Sequence, residues 1–294
     1  MNLYTSSISR SVRQRWTRPL IFGCTVISLA LALACHHAPE KTAGNDPDQL
    51  LKQMSEKLAQ AKKLSFKVER KLDAALVEDR NVPEDAQIEI SVARPNKFMA
   101  KADSKNNVRQ VFFDGQSLSI YDQTMNLYAT VPVSGTIDAA VAGIDEKYGF
   151  TPPLAEFILS DPYGALSSQI KNKTYKGKET IAGIECHHLT LSGDVADSEL
   201  WIGVADLLPY KLVATFKNRE GNPKLQADFS SWNLAANLDD KAFAFAAPKD
   251  AEKVEMVTEV QMKETAAKEI SAPETGAPQK PATPNADKNQ RKGL

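Results

Sequence analysis

The sequence predicts an α+β fold, mainly antiparallel β, with about eleven strands, an N-terminal helix and a helical insert. Three observations lead there. From Gly177 to Lys217, three runs rich in β-branched and aromatic residues are separated by Ala182-Gly183, Ser192-Gly193-Asp194 and the stretch from Asp206 to Pro209, which is the pattern of an antiparallel meander. From Leu64 to Val131, apolar residues recur with a period of two through six successive runs. Between the two sets lies a stretch with helical spacing and helix-capping residues. In the middle strand of the meander, Ile184 and Cys186 occupy one face and Leu189 and Leu191 the other. Such a sheet must be covered on both faces or must surround something apolar.

In chain order, Arg10, Arg13, Arg15 and Arg18 precede an apolar run from Leu20 to Ala34, the pattern of a secretory signal peptide over residues 1–34. The run is shorter than the roughly 20 apolar residues a spanning helix needs. No Arg-Arg pair precedes it, which favours the general export route. It ends Leu31-Ala-Leu-Ala-Cys35, similar to the lipobox of bacterial lipoproteins, with Ala32 where Leu is usual. Cys35 is therefore the expected lipidation site; ordinary cleavage after Ala34 is the alternative. His36 follows the cysteine where retained inner-membrane lipoproteins commonly carry Asp, which points to the outer membrane, facing the periplasm. Residues 35–45 read as a tether.

The domain is expected over 46–262. Asp46-Pro47 opens a helix with Leu50, Leu51, Met54, Leu58 and Ala61 on one face. Six strands follow, with Arg94-Pro95 and the hairpin signal Asp114-Gly115 among the breaks. Thr136 caps a helix carrying Ile137, Ala140, Val141, Ile144 and Tyr148, closed by Gly149. Thr151-Pro152-Pro153 predicts a second helix with Leu154, Phe157 and Ile158, and Asp161-Pro162 a third through Tyr163, Leu166 and Ile170. After the meander, Leu225 to Trp232 is a strand, Phe243 and Phe245 alternate, and Val254, Met256 and Val260 suggest a last short strand. Residues 263–294 combine prolines with few large apolar residues and are expected to be disordered.

A net charge of −1 over 294 residues gives no sign of nucleic-acid binding, and three cysteines are too few for a disulfide framework. Cys186-His187-His188 is the one cluster of metal-ligand character. On a strand it offers two ligands to one face, short of the three or four that zinc requires. A buried Cys beside a hydrogen-bonded His accounts for it, so no metal or other cofactor is expected. There is no Gly-x-Ser-x-Gly elbow and no phosphate-cradling glycine loop, so no catalytic residues are assigned and the chain is not read as an enzyme.

The order of helix, six strands, helical insert and further strands resembles the LolA/LolB-like superfamily. More narrowly, it resembles an uncharacterised bacterial family of predicted periplasmic proteins. The residues that carry the likeness include Arg94-Pro95, Phe113-Asp114-Gly115, Tyr121-Asp122, Asp161-Pro-Tyr163, Gly177, Gly183, Cys186, His188-Leu189, Trp201-Ile202, Leu208-Pro209, Lys211-Leu-Val213, Trp232 and Phe243-Ala-Phe245-Ala-Ala-Pro248. The resemblance implies a curved, unclosed β-barrel, a half-barrel with helices in its mouth, that holds an acyl chain or a partner polypeptide.

Two functions follow. In one, the protein is a cell-envelope lipoprotein binding a lipid or other apolar ligand in the half-barrel. Ile144, Tyr148, Phe157, Ile158, Trp201 and Phe216 are then the expected cavity lining. In the other, the same fold is filled by its own side chains and serves as an envelope protein–protein interaction or regulatory module.

Overall fold

The computed structural model describes residues 46–78, 85–105, 107–149, 152 and 154–256. The predicted signal peptide, Cys35, the tether and the 263–294 tail lie outside the described residues. Helix α1 (Pro47–Gln60) begins as the sequence dictates: the Asp46 carboxylate accepts from the Asp48 N–H at 3.0 Å, and Pro47 occupies the first turn. Its apolar stripe of Leu50, Leu51, Met54 and Leu58 is buried.

Six strands follow: β1 (Lys63–Leu72), β2 (Asp85–Ala93), β3 (Lys97–Ser104), β4 (Val108–Phe113), β5 (Ser117–Asp122) and β6 (Leu127–Pro132). A five-residue helix, α2 (Ala74–Glu78), sits between β1 and β2; the local pattern gave no signal for it. The β4–β5 turn closes through Asp114, whose Oδ1 accepts from the backbone N–H groups of Gln116 and Ser117 at 2.9 and 2.8 Å. Gly115 there adopts φ 94°, a left-handed conformation that favours glycine.

The insert comes next. Helix α3 (Ile137–Tyr148) is capped by the Thr136 side chain and closed by Gly149 at φ 63°, whose N–H reaches the Asp145 carbonyl. The second predicted helix is instead a single 3-10 turn, Ala155–Phe157. Leu154 stands before it at φ 67° with no capping side chain, which interrupts the α path. Helix α4 (Pro162–Ser167) starts on Asp161 as expected but ends three residues before Ile170, which opens a strand and pairs with Gly193.

The second strand set is β7 (Ile170–Ile181), β8 (Ile184–Gly193), β9 (Ala196–Gly203), β10 (Pro209–Phe216) and β11 (Lys224–Asn233). The Phe243–Phe245 alternation is not a strand. Asp240–Phe243 is a 3-10 turn capped by Asp239, and Phe245 lies across Phe112, Tyr121 and Tyr128 with ring centroids 5.3–5.8 Å away. The last strand, β12 (Glu252–Lys253), precedes the predicted Val254–Met256 run and pairs in parallel with β6; Val260 lies outside the described residues.

The twelve strands among the described residues form one sheet in the order β12-β6-β5-β4-β3-β2-β1-β11-β10-β9-β8-β7. Two antiparallel meanders are thus joined at the β1–β11 pair, and β7 and β12 are the edges: the curved sheet is unclosed. The insert runs from one side of the sheet to the other, since it follows β6 and precedes β7. Cross-strand partners fix a single inner face: Phe66 opposite Ile90, Val92 opposite Phe98, Phe98 opposite Phe113, Leu118 opposite Val131, Leu189 opposite Leu200, and Leu212 opposite Ala227. These residues form one buried cluster with the stripes of α1 and α3 and with Phe157.

Candidate functional site

The inner face is most aromatic at the β1–β11 joint. Phe66 on β1 and Phe229 on β11 lie there with ring centroids 6.2 Å apart. The β1–β11 register shifts between Ser65 and Lys67, and Ser231 takes φ 56°. This bulge changes the phase of β11 and brings Trp232 onto the same side, stacked on Phe66 at 4.2 Å. The indole Nε1 donates to the Pro209 carbonyl at 2.9 Å. Phe157 of the 3-10 turn closes the group from above, 4.9 Å from Phe229.

Four of the six expected lining residues come together here. Ile144, Tyr148, Phe157 and Ile158 are 1, 8, 0 and 5% exposed and belong to the same core cluster. The other two do not join them. Phe216, at the end of β10, packs with Ala214 and Leu76 of α2 in a separate small cluster. Trp201 alternates with Leu200 and Ile202 and so faces the opposite side of β9, where it stacks on His188 at 4.4 Å.

Polar contacts pin the covering elements. The Arg94 guanidinium, in the β2–β3 turn, donates from Nη1 to the Ile158 carbonyl at 2.7 Å and from Nη2 to the Leu58 carbonyl at 3.4 Å, tying the 3-10 turn to α1. Ser160 donates its N–H and Oγ to Asp138 Oδ1 at 3.1 and 2.7 Å, tying the same segment to the start of α3. Asp48 on α1 accepts from Tyr163 Oη of α4 at 2.7 Å and from Lys173 Nζ of β7 at 2.6 Å, and pairs with Lys52 at 2.7 Å. The hydrogen bonds from Lys173 and then Lys52 hold the Asp48 carboxyl far below the usual carboxylate range. Both lysines also lie over the Tyr163 ring, 5.0 and 5.1 Å from its centroid.

The cysteine–histidine cluster splits between the two faces. His187 meets Tyr175 Oη at 3.3 Å, and burial lowers its pKa. On the other face, His188 Nδ1 meets Glu179 Oε1 at 3.0 Å and Nε2 meets Glu199 Oε2 at 2.9 Å, so both ring nitrogens are taken by carboxylates. Trp201 Nε1 donates to Glu179 Oε2 at 2.8 Å, and Lys211 Nζ lies 5.4 Å from the indole centroid. The Cys186 thiol is buried and pushed up to about 11 by desolvation, which makes it a poor nucleophile.

Sequence reasoning gave no special weight to Asp48 or Lys173, and it read Arg94 only as part of the Arg94-Pro95 break and of the family pattern. Each acts through a partner far along the chain, so local pattern carries no trace of the pairing. Trp232 was visible as an aromatic residue, but the bulge that sets its side was not.

No curated protein matches the chain significantly. Solved structures similar to it include an uncharacterised conserved protein of Thermus thermophilus, at 14% identity over 71% of this chain and 99% of that one, with a TM-score of 0.43. The lipoprotein LppX of Mycobacterium tuberculosis is 14% identical over 66% of this chain and 100% of that one, with a TM-score of 0.42. A LolA superfamily protein of Nitrosomonas europaea is 10% identical over 68% of this chain and 98% of that one, with a TM-score of 0.32. The family model for predicted periplasmic proteins known as DUF2092 matches residues 47–257, and the chain belongs to that family.

Proposed function

We propose that the protein is a cell-envelope lipoprotein that binds an apolar ligand, a lipid or acyl chain, between the inner face of its half-barrel and the covering helices. The observation that carries this reading is how the apolar face is closed. An unclosed twelve-stranded sheet has its aromatic centre at Phe66, Phe229 and Trp232 covered by a turn and helices rather than by a second sheet. Those covering pieces bury the apolar stripes of α1 and α3 and Phe157 against that face and are also pinned by polar contacts through Arg94, Asp48 and Ser160. Ile144, Tyr148, Phe157 and Ile158 are the proposed lining, with Phe66, Phe229 and Trp232 facing them. Organic extraction of protein purified without detergent, followed by mass spectrometry, tests the reading: a stoichiometric lipid is expected, and a lipid-free extract counts against it.

A second reading rests on one specific observation: Ile144 and Phe157 are essentially without exposure. If no recess adjoins them, the core is filled and the protein is an envelope interaction or regulatory module whose partner is another polypeptide.

Membrane attachment through Cys35, on the periplasmic side of the outer membrane, is part of the proposal. No helix among the described residues is long and apolar enough to cross a membrane. Replacing Cys35 by Ser should abolish labelling by a radioactive fatty acid and release the protein from the membrane fraction. A Cys35→Ser protein that is processed and sedimented like wild type contradicts the anchor.

A further inference from the structure

We propose that the half-barrel takes an amphiphile with an anionic head, a carboxylate or a phosphate, whose acyl chain lies across β3–β6 on the inner face and whose head meets Arg109. This rests on the apolar-ligand reading above and adds the path of the chain and the chemistry of the head group. The strand register sorts the inner face into rows that cross the sheet. In one row, Val92, Phe98, Phe113, Leu118 and Val131 are all buried in the core cluster. In the next, Phe66 and Ile90 are buried, but Ala100, Val111 and Ile120 stay partly exposed. The row after that continues with Ala102, also partly exposed, and then Arg109 opposite Asp122. The inner face therefore keeps an accessible apolar strip that starts beside the aromatic centre at Phe66. From β3 to β6 it runs for roughly 14 Å, at about 4.8 Å per strand step.

The chemistry of the strip selects its occupant. The backbone groups of β3–β5 pair with neighbouring strands on both sides, so the strip offers side chains and no pairing edge. A polypeptide laid there would bury its own amides unpaired, whereas an acyl chain has none to bury. Arg109 supplies the polar end. Its side chain is 39% exposed, and among the described residues its one hydrogen bond runs from Nη2 to Asp122 Oδ2 at 3.3 Å, which leaves further N–H donors of the guanidinium uncommitted. Asp122 is satisfied by contrast: it is buried and also accepts from Asn107 Nδ2 and from the Met125 N–H, both at 2.9 Å. Arg70, buried one row further on, is a second guanidinium, so the strands β1–β6 place two arginines and one carboxylate on this face. Burial lowers the Arg70 pKa and the charge of Arg109 adds to that, so the two lie within electrostatic reach of each other. An anionic head gains a charge-assisted contact with Arg109, an alcohol gains a weaker one, and an ammonium head meets like charge.

The test is displacement of a neutral fluorescent acyl probe from the mature full-length protein. The competitors are dodecanoate, dodecyl phosphate, dodecanol and dodecylamine, each below its micellar concentration. Wild type should prefer both anions to the alcohol by roughly fivefold to tenfold, the scale of one partly exposed charge-assisted contact, with the amine weakest. Added salt should shrink that preference. The stronger of the two anions separates a phosphorylated lipid from a free fatty acid, and either ranking supports the proposal. Arg109→Gln should bring the anions down to the alcohol and leave the alcohol unchanged, while Arg109→Lys should keep part of the preference. Val111→Trp, in the middle of the strip, should weaken all four competitors. Three results overturn the assignment while leaving the apolar site standing: equal affinities for the heads in wild type, an anion preference that is indifferent to salt or survives in Arg109→Gln, or unchanged affinities in folded Val111→Trp. If neither the probe nor any competitor binds folded wild type, the apolar-ligand reading fails and this assignment with it.

Discussion

The two faces of β8 and β9 are made from alternate residues of the same two segments, yet they bury their large side chains by different means. On the inner face, Leu189, Leu191, Leu200 and Ile202 join a cluster closed by helices and by Phe157. On the outer face, Cys186, His188 and Trp201 are equally buried, at 0, 7 and 7% exposure. Their cover there includes a stacked pair clamped by Glu179 and Glu199, whose side chains are about half exposed. Burial of an aromatic residue therefore does not by itself mark a ligand site. Trp201 and Tyr148 are nearly equal in exposure, but only Tyr148 lies in the cluster shared with the covering helices.

The largest expected effect lies on the inner face. Phe157→Ala removes a fully buried ring against Phe229 and should cost about 3–5 kcal/mol in chemical denaturation. A loss below about 1 kcal/mol would mean that the turn contributes little packing, and the contrast between the faces would collapse. The outer face should be softer. His188→Phe keeps a ring to stack on Trp201 but removes both carboxylate contacts. Glu179 and Glu199 are free to rehydrate, so the cost should be about 1 kcal/mol. A loss as large as that of Phe157→Ala would show that the His188 clamp supports the fold as strongly as the apolar core.

The smallest effect belongs to the contact joining α1, α4 and β7. The Asp48 carboxyl is depressed in the folded chain, so its stabilisation is complete above the ordinary carboxylate pKa of about 4 and fades as pH falls below it. Its side chain is 35% exposed, and solvent screening holds the contribution to about 1 kcal/mol or less. Asp48→Asn should lower the melting temperature at pH 7 by about 2–4 °C, and the gap from wild type should narrow steadily between pH 4 and pH 2. A gap independent of pH would show that the carboxylate charge is not what holds α4 down.

Much of this architecture was legible from the residues because period two and the turn signals repeat so regularly. The six strands from Leu64 to Val131, the breaks at Ala182-Gly183 and Asp194, and the caps Asp46, Thr136 and Asp161 all follow from local chemistry. The insert was less legible. Leu154 adopts a left-handed conformation that no β- or helix-forming preference announces, and Ile170 continues a helical spacing although sheet pairing claims it. The site was least legible of all. Leu200, Trp201 and Ile202 place apolar side chains on both phases, so the strand alone does not say which one looks inward. Only pairing across β8–β10 decides that Leu200 does and Trp201 does not.

The central claim is that the covering helices leave room for an apolar guest beside Ile144 and Phe157. Trp at either position tests it directly, with melting temperature and binding of a fluorescent fatty-acid probe measured on the same samples. If a recess adjoins these residues, at least one of Ile144→Trp and Phe157→Trp should keep the wild-type melting temperature while losing most probe binding. If both variants lose the several degrees that correspond to about 1–3 kcal/mol of overpacking, and wild type does not bind the probe, the half-barrel is a solid core and the ligand reading is wrong.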